Sequence, residues 1–129
     1  MPKKRIFIVD DSKSVRQLVR TCIEARLEHV VCAEAADGLD AIQRVREVEP
    51  DLIVLDLSMP MMNGLEAAAI LHDMLPKVPI ILFTLHKDVI PEHRAKAAGI
   101  RVVISKMDQI DVLLGAVLSF VGVVRTATA

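Results

Sequence analysis

Short β-rich apolar runs alternate with longer stretches whose apolar positions recur at helical spacing, and the alternation repeats along the chain. That rhythm predicts a parallel α/β sheet. Strands are expected at Arg5 to Val9, His29 to Ala33, Leu52 to Leu55, Ile80 to Phe83 and Val102 to Ser105. Their nearly unbroken Ile, Val and Leu content predicts helices over both faces. Between them, Val15, Leu18, Val19, Cys22 and Ile23 mark a first helix, with Ser12 or Ser14 available to cap its orphan amides. A second runs from Gly38 to about Val48 and ends at Pro50-Asp51, since the residue before a proline is driven out of the α region. A third starts near Asn63 and stops before Pro76. The fourth, about Pro91 to Ala98, is short, with Pro91 at its first position and Gly99 suited to a left-handed cap. The fifth places Ile110, Leu113, Leu114, Val117, Leu118 and Val121 on one face. Its opposite face carries Gly115, Ala116, Ser119 and Val123 where a solvated helix would place Lys and Glu. That stripe reads either as scattered exposed apolar surface or as a partner face.

A length of 129 residues supplies one ordinary core and no second functional domain. With 53% apolar and 26% charged residues, the composition is that of a soluble globular domain. Val112 to Val124 is uncharged but falls short of the about 20 residues a bilayer span needs. The basic start, Met1 to Arg5, is followed by too brief an apolar run for an export segment. Sixteen basic against 17 acidic residues leave a net charge of -1, and there is neither Trp nor Tyr. Both observations disfavour nucleic acid as a direct ligand, because neither a positive field nor a stacking platform is present. Cys22 and Cys32 lie inside apolar patterns without metal-type spacing, as reduced core residues of a cytosolic protein do.

In a doubly wound sheet, ligands bind beyond the carboxyl ends of the strands. The residues there are Asp10 and Asp11, Asp56, Thr84 and Lys106. Each taken singly has an ordinary role as helix cap, turn former, local hydrogen bonder or solvated charge. Three carboxylates within reach of one another, however, repel and raise one another's pKa unless a cation neutralises them. A hard divalent ion with oxygen ligands answers that need. Mg2+ fits, with Mn2+ able to substitute, whereas Zn2+ would call for His or Cys.

At this combination the sequence resembles the receiver domain of bacterial two-component response regulators. The motifs are Ile8-Val9-Asp10-Asp11-Ser12, Asp51 through Pro60 with Asn63-Gly64, Phe83-Thr84, Ala98-Gly99 and Ser105-Lys106. The resemblance spans essentially the whole chain, as a receiver domain over 1–124 and a short tail over 125–129. It implies a flavodoxin-like (βα)5 three-layer sandwich with parallel strand order 2-1-3-4-5. It implies Asp56 as phosphoacceptor, Asp11, Asp56 and the Ser58 backbone carbonyl as Mg2+ ligands, and Asp10 holding the ion through water. Thr84 and Lys106 would contact the phosphoryl group. It further implies a cytoplasmic signalling domain rather than an enzyme, phosphorylated by a histidine kinase or a histidine phosphotransfer protein. Output would pass to a downstream protein, or to a second copy in a homodimer, through the face of the fourth helix, fifth strand and fifth helix. The chemistry is self-consistent: a carboxylate attacking phosphorus gives a mixed anhydride, and transfer depends on placement and on neutralising the equatorial oxygens.

Several positions depart from the family pattern. Val103 stands where an aromatic side chain is usual, and valine offers no long lever for a rotameric readout. Leu85 replaces a small residue and is expected to crowd Asp56 or shield an acyl phosphate from water, slowing dephosphorylation; His86 beside it is expected to face solvent. Met107 replaces a common proline, so a trans bond after Lys106 is expected. His29, His72 and His93 are expected on the surface. Two rival functions are a phosphorylation-independent interaction module of receiver architecture and a haloacid-dehalogenase-type phosphatase. The latter needs a second Asp two residues after the nucleophile, where this chain has Ser58.

Overall fold

A computed structural model describes residues 3–28 and 30–122. In chain order its elements are β1 (Lys4–Val9), α1 (Lys13–Arg26), β2 (Val30–Ala35), α2 (Gly38–Val48), β3 (Leu52–Leu55), α3 (Gly64–Met74), β4 (Ile80–Thr84), α4 (Glu92–Ala97), β5 (Ile100–Ser105) and α5 (Ile110–Val121), with a 3-10 turn at Lys87–Val89. The strands form one parallel sheet in the order β2-β1-β3-β4-β5. This is the flavodoxin-like arrangement implied by the receiver motifs.

Strand periodicity divides the core into two layers. Ile6, Ile8, Leu52, Val54, Ile81 and Phe83 face α1 and α5, where Val19, Ile23, Leu113 and Val117 meet them. Phe7, Val9, Ile53, Leu55, Ile80 and Leu82 face the other way, onto Ala41, Val45, Ala67, Ala68, Leu71 and Ala95 of α2, α3 and α4. Because both faces are covered, the strands lack the polar alternation of a half-solvated sheet.

Local chemistry sets the helix ends. The Ser12 hydroxyl, rather than Ser14, accepts from the Val15 N–H at 3.3 Å and caps α1. Asn63 and Glu66 form a reciprocal capping box at the start of α3, with bonds of 2.9 and 3.1 Å. Glu49 ends α2 in the left-handed region at φ 53°, immediately before Pro50.

Some expectations are corrected. β1, β4 and β5 extend beyond the predicted apolar runs to Lys4, Thr84 and Ile100, and β2 continues to Ala35, because ladder hydrogen bonds are indifferent to side-chain polarity. Pro91 is the N-cap of α4, at ψ 136°, rather than its first helical residue. His72 is not a surface residue: it is half-buried, and its Nδ1 is buried without a hydrogen-bond partner. Gly99 explains this, since at φ +84° it packs so close that a Cβ there would lie 2.4 Å from the His72 Cγ. His93 and His86 are exposed, while His29 and the expected tail at 125–129 lie outside the described residues. Both cysteines are free, and burial pushes the Cys32 thiol up to about 12. No described helix is long and apolar enough to cross a membrane.

Candidate functional site

Parallel strands deliver their carboxyl ends to one edge, and four of the five place a polar side chain there. The strand tips are tied by backbone bonds: the Asp10 N–H donates to the Ala35 carbonyl at 3.1 Å, and the Asp56 N–H to the Val9 carbonyl at 2.9 Å. The Lys106 N–H donates to the Thr84 carbonyl at 2.8 Å, extending the same edge across β4 and β5. These bonds fix the spacing between side chains far apart in sequence.

Asp10, Asp11 and Asp56 each present a carboxylate oxygen, all within 4.8 Å of one another. Asp10 and Asp56 are buried and Asp11 is exposed. One Asp10 oxygen accepts from the Ser12 N–H at 2.8 Å, and the other from the Lys106 ammonium at 2.7 Å. The same ammonium lies 3.3 Å from Asp56 Oδ1. Burial raises the pKa of the Asp56 carboxyl, and the nearby Asp10 charge raises it further. Lys106 and a backbone bond from Ser58 oppose the rise without cancelling it.

Thr84 is fully buried, and its hydroxyl oxygen accepts from the His86 N–H at 3.0 Å. A hydroxyl that accepts still has its own hydrogen to donate. Leu85 is 58% exposed, between two residues of opposite burial. An open depression of about 740 Å³ adjoins the acids, with Asp11, Ser58, Met59, Asn63, Pro91 and Arg94 among the residues of its wall.

The structure thus brings together Asp10, Asp11, Asp56 and Lys106, places Thr84 on the adjoining strand, and sets the Ser58 backbone against Asp56. Two contributions were not found in the sequence. Gly64 donates its N–H to the Leu57 carbonyl at 2.7 Å, and a Cβ at that position would fall 2.2 Å from the Asp56 carbonyl oxygen. Arg16 donates to the Asp10 carbonyl at 2.7 Å. An arginine on the exposed side of a helical pattern signals nothing by itself. The glycine stood in a motif, with no role of its own assigned to it.

The comparisons with known proteins agree with this geometry. The family model for the response regulator receiver domain matches residues 6–118, and the chain belongs to that family. Over 82 residues it is 40% identical to the protein-glutamate methylesterase/protein-glutamine glutaminase of Pyrococcus abyssi, covering 64% of this chain and 22% of that protein. The transcriptional regulatory protein LnrK of Bacillus subtilis is 34% identical over 84 residues, which are 65% of this chain and 38% of the relative. The match therefore spans well under half of either relative. Among solved structures, a LuxR-family two-component response regulator from Aurantimonas sp. superposes with a TM-score of 0.83 at 31% identity, over 91% of this chain and 84% of the other. The response regulator TrrA of Thermotoga maritima, solved in complex with Mg2+-BeF, gives a TM-score of 0.81 at 26% identity, over 91% and 98%.

Proposed function

We propose that this protein is a phosphorelay receiver whose Asp56 accepts a phosphoryl group from a phosphohistidine on a histidine kinase or phosphotransfer protein, in a Mg2+-dependent reaction. The observation that carries this reading is the Lys106 ammonium bridging two buried carboxylates, with a third acid beside them.

Three carboxylates against one ammonium leave a formal surplus of two negative charges in this cluster. The three acids offer carboxylate oxygens, and burial together with the Asp10 charge holds the Asp56 pKa up despite Lys106. These residues fit a hard dication. Asp11, Asp56 and the Ser58 carbonyl would hold Mg2+, or Mn2+ in its place, with Asp10 acting through water. When bound, the ion supplies positive charge to the oxygens of the transferring phosphoryl group.

The chain's own residues supply the rest. An Asp56 carboxylate oxygen forms a bond to phosphorus as the phosphorus–nitrogen bond of the donor breaks. The leaving imidazole keeps that electron pair and takes up a proton. Lys106 steadies the charge on the phosphoryl oxygens. Thr84 donates its hydroxyl hydrogen to one of them. Turning the hydroxyl for that purpose disturbs the bond it accepts from His86, so the loop after β4 moves with the chemistry. Output then passes through the α4, β5 and α5 face to a downstream protein or to a second copy. The domain is taken as 1–124, working in the cytoplasm, with no direct contact to nucleic acid or membrane.

Phosphotransfer from a phosphohistidine donor tests this. The expected result is a Mg2+-dependent label on the wild type that is absent from Asp56→Asn. A label retained by that variant, or no label from any donor in the presence of Mg2+, would overturn it and leave a phosphorylation-independent interaction module. Native mass measurement with and without beryllium fluoride decides self-association: a doubled mass upon addition is expected for the homodimer, and an unchanged mass would exclude it.

A further inference from the structure

The β2 tip contributes no side chain to the acidic cluster, yet it is connected to it. Glu34 on β2, in register with Ile8 of β1, accepts from Arg16 Nε at 3.0 Å with one carboxylate oxygen and from an Arg20 terminal nitrogen at 2.8 Å with the other. Its backbone carbonyl accepts from Arg44 at 2.7 Å. Held this way, Glu34 in turn aims Arg16, whose side chain is 15% exposed and whose second arm reaches the Asp10 carbonyl at 2.7 Å.

That carbonyl belongs to the peptide plane joining Asp10 to Asp11. The Asp10 N–H is already committed to Ala35, and the Asp10 carboxylate to Ser12 and Lys106. Asp11 is exposed, and among the described residues its carboxylate has no hydrogen-bond partner in the protein. The peptide plane that precedes it therefore sets the direction in which its side chain leaves the backbone. We propose that Arg16, aimed by Glu34, is a positioning residue that locks the Asp10–Asp11 peptide and so presets the Asp11 carboxylate for a divalent cation.

Two physical features favour arginine here. Its planar fork reaches acceptors on two different elements at once, which a lysine ammonium on a flexible stem does less well. Its charge is also balanced: Arg16 and Arg20 stand against Glu34 and Glu24, with Arg20 to Glu24 at 3.3 Å, so the network adds no formal charge beside the site. A charge-assisted bond to the cluster's backbone is thereby obtained without repelling the ion.

The inference rests on the reading of the acids as a cation site, and the experiment separates the two. Mg2+ is titrated calorimetrically into the full chain as wild type, Arg16→Ala, Arg16→Lys and Glu34→Gln, with thermal midpoints recorded without metal. Arg16→Ala is expected to weaken the Mg2+ Kd about tenfold, as loss of a group that orients a metal ligand does. Arg16→Lys recovers part of that loss, and Glu34→Gln lies between the two. In the metal-free protein, amide relaxation at Asp11 is expected to show increased motion in Arg16→Ala, which a role in stability alone would not produce. A wild-type Kd retained by folded Arg16→Ala overturns the positioning role alone. If that variant does not fold, an unchanged Kd in Arg16→Lys does so. No saturable response from the wild type overturns the cation reading and this inference together.

Discussion

One sheet carries two unlike halves. On the β1–β3 side, the acids sit on strands paired without interruption, β1 matching β2 over all six of its residues, and the Asp10 backbone and carboxylate are each bonded to the protein. The β4–β5 side is looser. Its ladder has a register irregularity between Ile80 and Ile81, α4 has six residues and no side-chain cap, and Leu85, Val89 and Met107 are exposed. A cavity of about 680 Å³ opens beside α4 and β5, where Val103, Ile90, Lys87 and Arg101 line it. Segments with few buried contacts and exposed backbone open at low free energy. The contrast is one of restraint: the half that carries the acids is paired without interruption, and the other half carries the irregular ladder, the uncapped short helix and the exposed apolar side chains.

The largest expected effect breaks the half that carries the acids. Gly64→Ala drives a Cβ into the Asp56 carbonyl, so urea unfolding is expected to show a loss of about 3 kcal/mol or more. Stability near wild type would mean that the Asp56 backbone yields freely and is not pinned.

Asp56→Asn tests the electrostatic side of the same half. Because the Asp56 pKa is raised, the folded state holds that proton more tightly than the unfolded chain does. The resulting stability is complete below the unfolded value and is lost as pH rises through the folded one. Without divalent cations, Asp56→Asn is therefore expected to be more stable than wild type at neutral pH by about 1–2 kcal/mol, with the gap closing in acid. Urea midpoints at both pH values check this, and a gap that widened in acid would reverse the sign.

Paired overpacking sharpens the comparison directly. Val103→Phe faces open volume and is expected to change stability by less than about 1 kcal/mol, whereas Val54→Phe in the buried core should lose about 1–3 kcal/mol. Equal losses would erase the distinction between the halves. Smallest in stability is Leu85→Ala, expected within about 0.5 kcal/mol for a surface position. Its phosphoryl lifetime is expected to shorten if Leu85 shields the acyl phosphate, and a longer lifetime would refute shielding.

Much of this was legible in the residues. Runs of Ile, Val and Leu located every strand, β3 at both of its ends, because burial on both faces leaves no reason for polar interruption. The acids, Thr84 and Lys106 were found because they directly follow such runs or close them. Other features had no local signature. Arg16 and Glu34 are separated by a helix and a turn, and His72 is covered by Gly99 from a different element. Pro91 kept its preferred backbone geometry but one position outside the helix, since nothing in its ring distinguishes the N-cap from the next residue by φ alone.

What the amino-acid order determined by itself was periodic and short-ranged: which segments extend, which coil, and which polar groups stand at their ends. Tertiary structure alone decided how far apart those ends lie, which of two oxygens on Asp10 meets Lys106, and that an arginine on α1 reaches the peptide between two acids. The reason is that propensity and hydrophobic pattern act over a few residues, whereas distances of a few ångströms between separate strands arise only when the whole sheet closes its hydrogen bonds.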